Sequence, residues 1–150
     1  MTIYALSSGP GISGVAVVRV SGKDTSKVIK LITGEDLPAP RVATLRKMNN
    51  INTNELIDEG LIIWFPGPQS YTGEDLAEFH VHGSRAVIAA LHDSISKIKN
   101  CRLAEPGEFT KRAFQNEKIN LLKGIKNIFN EDLSKSYQEA IDLLKAKYEK

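Results

Sequence analysis

Hydrophobic positions along the chain switch between two periods, and the switches divide it into elements. Ile3–Leu6 and Val15–Val20 are rich in β-branched residues and flank Ser7-Ser8-Gly9-Pro10-Gly11-Ile12-Ser13-Gly14, which predicts a strand, a glycine loop and a second strand. Asp24 or Thr25 can cap a short helix whose apolar positions Val28, Ile29, Leu31 and Ile32 precede Gly34, a natural C-terminal stop. Val42–Met48 and Ile57–Phe65 then read as two strands joined by the polar linker Asn49–Glu55, a hairpin-like antiparallel unit. The stretch Pro66-Gly67-Pro68-Gln69-Ser70-Tyr71-Thr72-Gly73 cannot continue a strand, because its prolines lack donors and its glycines cost backbone entropy, so it predicts a shaped loop. Asp75–Val81 alternates, placing Leu76, Glu78, His80 and His82 on one face and Ala77, Phe79 and Val81 on the other. Ser84 can cap a helix through about Lys97 whose Val87, Ile88, Leu91, Ile95 and Ile98 share one face. Beyond Arg102-Leu103-Ala104, Pro106-Gly107 opens a further helical segment through Phe114, ended by Gln115-Asn116. From Glu131 onward, Leu133, Tyr137, Ala140, Ile141, Leu144 and Tyr148 recur at the three-and-four spacing of an amphipathic helix.

The order β-β-α-β-β-β-α followed by helices predicts an α+β fold: a mixed, largely antiparallel sheet with helices packed on one face, plus C-terminal helices. The length of 150 residues suits one hydrophobic core, and 41% hydrophobic with 25% charged residues is a globular composition. Twenty basic against 18 acidic residues leave a net charge of +2, too small for charge alone to argue a nucleic-acid binder. The apolar runs Leu61–Phe65 and Val15–Val18 fall far short of the roughly 20 residues that cross a bilayer, and Met1-Thr2-Ile3-Tyr4 is unlike a secretory signal. No membrane association is therefore expected. Cys101, the lone cysteine, cannot close an internal disulfide, which fits a cytoplasmic protein.

Several stretches carry candidate chemistry. Gly9–Gly14 lets backbone approach a ligand closely, yet a phosphate loop needs a Gly-Lys-Ser/Thr ending and a following helix, so a tight turn near a sheet edge is the simpler reading. Glu78-Phe79-His80-Val81-His82 offers zinc-type ligands, but three alternate residues on an extended strand spread too far for one small ion, which favours a hydrogen-bonding or pH-tuned histidine. Trp64 through Asp75 packs aromatic, rigid and acidic residues into one loop, the makings of either a structural loop or a pocket wall or interface. Glu105–Phe114 with Asn116-Glu117-Lys118 reads by itself as a solvated charged helix, and Cys101 as a packing residue.

These segments, in this order, resemble the N-terminal domain of the MnmE/TrmE tRNA-modification GTPase family. The matching stretches are Gly14–Gly22, Pro40-Arg41, Trp64–Asp75, His82-Gly83 and Leu103–Phe114, and the likeness covers about residues 2–118. The resemblance implies residues 1–118 as a folate-binding domain with a fold like the tetrahydrofolate-binding domain of glycine-cleavage T-proteins, and 119–150 as a remnant of the family's helical domain. It implies a homodimer built through this domain, with folate pockets near the interface. It also implies a partner flavoprotein like MnmG/GidA, indirect engagement of tRNA, and 5-formyltetrahydrofolate or 5,10-methylenetetrahydrofolate as one-carbon donor for C5 of the wobble uridine. Arg19, Glu78 and Lys118 match the family's folate-binding positions. Glu78 can accept hydrogen bonds from pterin N–H groups, while Arg19 and Lys118 can satisfy carbonyl or carboxylate oxygens. Phe65 or Tyr71 would wall the ring.

Departures shape the functional expectation. Full-length members are GTP hydrolases with a Gly-x-x-x-x-Gly-Lys-Ser/Thr loop and a Cys-containing tail; Gly124-Ile125-Lys126 does not meet the first pattern, nor Tyr148-Glu149-Lys150 the second, so no GTP hydrolysis is expected of this chain alone. Ser84 stands where a second glycine is usual, and Ile12 where a basic residue is common. The expectation is a folate-binding dimerisation module of the wobble-uridine modification system. Two alternatives stay open: a dimerisation domain without folate binding, and an independent one-carbon-transfer enzyme, for which no acid, base or nucleophile set stands out.

Overall fold

The computed structural model of the chain describes residues 1–7, 14–117, 142 and 145–146. The expectations for the Gly9–Gly14 loop up to Ser13, for Lys118 and, but for residues 142, 145 and 146, for the stripe from Glu131 to Tyr148 therefore lie outside the described residues. The chain forms two compact units, Met1–Pro106 and Gly107–Lys150.

The first unit runs β1 (Thr2–Leu6), β2 (Val15–Ser21), α1 (Thr25–Thr33), β3 (Thr44–Asn49), β4 (Leu56–Phe65), β5 (Leu76–His82), α2 (Arg85–Ser96) and β6 (Cys101–Leu103). Its six strands form one sheet in the order β3-β4-β5-β2-β1-β6. All neighbours are antiparallel except β1 and β6, which run parallel with Thr2 opposite Cys101. The α+β class with a mixed, largely antiparallel sheet is thus the observed one. Strand β6 was not expected: Cys101-Arg102-Leu103 is too short to show a period, and only its neighbour β1 makes it a strand.

Alternation decides which way the sheet faces. Ala16, Val18 and Val20 of β2, Met48 of β3, Ile62 and Trp64 of β4, and Ala77, Phe79 and Val81 of β5 join Val28, Ile29 and Ile32 of α1 and Leu91 and Ile95 of α2 in one core. Both helices therefore cover the same face, as expected for a sheet with one solvated side. Leu31, grouped with the apolar positions of α1, is instead 45% exposed, because a nine-residue helix has room for only one narrow buried stripe.

The helix ends follow their chemistry. Gly34 adopts φ +68° and its amide closes α1 on the Lys30 carbonyl, a left-handed C-cap that glycine takes without strain. Asp24 occupies the N-cap position without a side-chain cap; its amide instead donates to Thr2 Oγ1 at 2.9 Å, tying α1 to β1. The Ser84 hydroxyl caps α2 by accepting from the Val87 amide at 3.2 Å.

In the second unit, residues 108–117 are helical, opened by Gly107 at φ +76° and braced by an Arg112–Glu108 ion pair at 3.2 Å. The helix continues through Gln115-Asn116, where a stop was expected. Neither residue forbids helical backbone, and their weak propensity is outweighed by continuation of the ladder. Among the described residues no helix is long and apolar enough to cross a membrane.

Candidate functional site

The face of the sheet turned away from the helices carries three cross-strand rows. The first runs Leu45, Leu61, His80, Val17 through β3, β4, β5 and β2. The second runs Ile63, Glu78, Arg19, Ala5, and the third Phe65, Leu76, Ser21, Ile3. The third is shut off by the loop between β4 and β5: the Ser21 hydroxyl lies 2.7 Å from the Thr72 hydroxyl and 3.0 Å from Glu74 Oε1, and Ile3, Ser21, Thr72 and Leu76 are all buried. The loop is itself tied down. The Gly67 amide donates to Asp75 Oδ1 at 2.8 Å, the Ser70 hydroxyl to the Glu74 carbonyl, and Arg41 to the Gln69 carbonyl at 2.6 Å.

The second row is the centre of the site. Register sets Arg19 directly opposite Glu78, and Arg19 Nη2 meets Glu78 Oε2 at 3.1 Å. On the other side of the carboxylate, His80 Nε2 lies 3.1 Å from Glu78 Oε1. The Tyr71 ring reaches back from the loop, its centroid 5.2 Å from the Arg19 guanidinium carbon, close enough for a cation–π contact. The side chains of Arg19, Glu78 and His80 are 25%, 19% and 28% exposed, so the charges are shielded yet reachable. A carboxylate has about four acceptor positions; Arg19 takes one on Oε2 and His80 one on Oε1, which leaves an acceptor on each oxygen.

A groove of about 420 Å³ adjoins this row, lined by Val15, Leu45, Leu61, His80, His82 and Glu59 among others. Its apolar members are unusually open for large hydrophobics: Val15 is 57%, Leu45 59% and Leu61 41% exposed. At its rim His82 Nδ1 approaches both Asp58 oxygens, at 2.8 and 3.0 Å, and the His82 amide donates to Oδ2 at 2.8 Å. Burial would raise the Asp58 carboxyl, but the amide and ring of His82 and the amide of Glu59 outweigh it and hold the carboxyl below its ordinary value. Among the described residues no three His, Cys, Asp or Glu side chains gather as a metal site; His80 is engaged with Glu78 and His82 with Asp58.

Of the residues singled out in the sequence, Arg19 and Glu78 are therefore brought together, while Lys118 lies outside the described residues. Tyr71 stands against Arg19, whereas Phe65 sits one row away opposite Leu76. Asp58 was missed, since only the folded sheet brings it to a residue 24 positions later. The engagement of Glu78 by His80 was legible only as a shared strand face.

Residues 2–118 match the family described as GTP-binding protein TrmE N-terminus. The chain is 70% identical to a tRNA modification GTPase MnmE from Pelagibacter ubique over 98% of its length, covering 34% of that protein. It is 45% identical to the zebrafish mitochondrial 5-taurinomethyluridine-[tRNA] synthase subunit GTPB3 and 42% identical to the human one, over 93% of the chain and 28% and 29% of those proteins. The chain thus spans about a third of the length of the curated relatives it matches.

Proposed function

The chain belongs to the family of the GTP-binding protein TrmE N-terminus, and from that membership we propose that it is the folate-binding, dimer-forming module of a cytoplasmic tRNA wobble-uridine modification system. The relatives' names carry tRNA modification for those proteins. For this chain the reading rests on one observation: Glu78, shielded on an otherwise open sheet face, is flanked by a guanidinium and an imidazole and keeps an acceptor on each oxygen.

That donor and acceptor set fits a reduced pterin. A 2-amino-4-oxopyrimidine edge presents two parallel N–H donors, which a carboxylate takes bidentately. Arg19, steadied by the Tyr71 ring, compensates the Glu78 charge while the pair is shielded from water. The exposed Tyr71 ring and the apolar Ile63, Val17 and Leu61 supply flat or apolar wall. Lys118, by its match to the family position, is assigned the folate's acidic end. When bound, 5-formyl- or 5,10-methylenetetrahydrofolate supplies the one-carbon unit; Glu78 orients the ring that carries it. GTP hydrolysis belongs, on this reading, to the family's separate phosphate-loop domain, and tRNA and an MnmG-like flavoprotein are partners of the assembled machine.

Calorimetric titration with 5-formyltetrahydrofolate tests the proposal, with a thermal shift as second readout, since a ligand of the native state raises its stability. Saturable heat and a raised Tm are expected, and Glu78→Ala should lose at least about tenfold in affinity by leaving the pterin donors unpaired. No heat and no shift at millimolar ligand would sink it. Sedimentation equilibrium should give twice the chain mass; a dimer that ignores folate would instead favour an interaction module, the reading that the exposed Val15, Leu45 and Leu61 support by themselves.

A further inference from the structure

We infer that His80 is a positioning residue for the pterin edge, keeping the Glu78 carboxylate split between two partners so that its outer acceptors face the ligand. This rests on the folate reading above.

A glutamate beside an arginine tends toward the fork in which the guanidinium takes both oxygens through two parallel N–H bonds. A carboxylate held that way is turned toward the arginine and has no matched pair of acceptors left for a second planar donor. Glu78 is held differently. Arg19 Nη2 meets Oε2, and His80 Nε2, from two residues further along the same strand face, meets Oε1 at the same 3.1 Å. The imidazole thus competes with the guanidinium for the second oxygen and sets the carboxylate plane.

Strand geometry makes the arrangement reproducible. Residues 78 and 80 project to the same side roughly 6.6–6.8 Å apart along β5, and a histidine is long enough to reach back across that gap. Its neighbours in the first row are Leu61 on β4 and Val17 on β2. To donate to the carboxylate, Nε2 must carry a proton. His80 also lines the groove while its Nε2 meets the carboxylate.

The test compares three chains by calorimetry with 5-formyltetrahydrofolate: wild type, His80→Phe, which keeps a ring and removes the donor, and His80→Gln, which keeps an N–H donor. Thermal melts verify folding, and His80→Thr, which cannot reach Glu78, replaces the phenylalanine variant should that one not fold. Loss of about tenfold in affinity is expected for H80F, equivalent to about 1.4 kcal/mol, with H80Q within about threefold of wild type and all Tm values alike. If wild type binds and H80F binds equally well, or if H80Q is as weak as H80F, the inference is overturned while folate binding stands. If wild type itself shows no binding, the folate reading fails and takes this inference with it.

Discussion

Gly60 shows how one residue decides what happens several positions away. A Cβ added there would lie 2.1 Å from the His80 carbonyl oxygen, a backbone atom that cannot step aside without moving β5. Gly60→Ala is therefore expected to cost at least about 2 kcal/mol in urea-induced unfolding, more than a surface alanine substitution would, and to shift the NMR resonances of His80. Asp58 acts on a different variable, pH. Its carboxyl is held below the unfolded value of about 3.9, so the stability it contributes is complete above that value and is lost as the pH falls through its lower folded value. Denaturant melts from pH 6 down to pH 2.5 should show a steeper loss for wild type than for Asp58→Asn, and parallel curves would refute the assignment. Neither residue stood out in the sequence. Both lie in the expected strand Ile57–Phe65 just ahead of its apolar run Leu61–Phe65, and what makes each matter is a cross-strand neighbour that no local pattern reveals.

Among the elements, α2 and β5 were the most readable, and for the same reason. Each repeats its period long enough for burial to follow it: Phe79 and Val81 inward with Glu78 and His80 outward, and Leu91 and Ile95 along one helix side, with Ile98 buried just past its end. The Ser84 cap was equally plain, and Ser84→Ala should cost about 1 kcal/mol in urea melts by orphaning the Val87 amide. What α2 hid was His92. Its ring meets Tyr4 edge-on, with centroids 5.3 Å apart, its Nε2 is buried without a hydrogen-bond partner among the described residues, and burial lowers its pKa. With the native ring neutral, the unfolded chain binds the extra proton between the unfolded value of about 6.5 and the lower native one, so stability rises with pH across that window. Wild type should thus be less stable at pH 5 than at pH 7.5, and His92→Phe should flatten that part of the profile; an unchanged slope would remove His92 as its source. A histidine at a helical spacing is read by sequence as polar surface, and only the neighbouring β1 supplies the Tyr4 ring it packs against.

At the scale of the whole first unit, the sheet separates two tasks. One face is sealed by α1 and α2 around Phe79 and Ile62, and the other is left open around Glu78, with the β4–β5 loop covering one end. Changes on the two sides should therefore be separable. Ile62→Val, which trims a fully buried side chain, is expected to lower stability by about 1 kcal/mol while leaving the proposed affinity for folate, per folded molecule, unchanged. Glu78→Ala should do the reverse, with a stability change within about 1 kcal/mol for a partly exposed pair. Paired urea melts and titrations check both, and a matching loss of affinity in I62V would show that the two faces are coupled.

The parallel union of β1 with β6 carries a consequence for biosynthesis. Once both have left the ribosome, β1 can zip to β2 almost at once, but its opposite margin waits until Cys101–Leu103 have emerged. Throughout that interval a row of unpaired amides and carbonyls stays open to any passing chain. Nascent fragments halted before position 101 should accordingly be stickier and more readily captured by chaperones than those only a few codons longer.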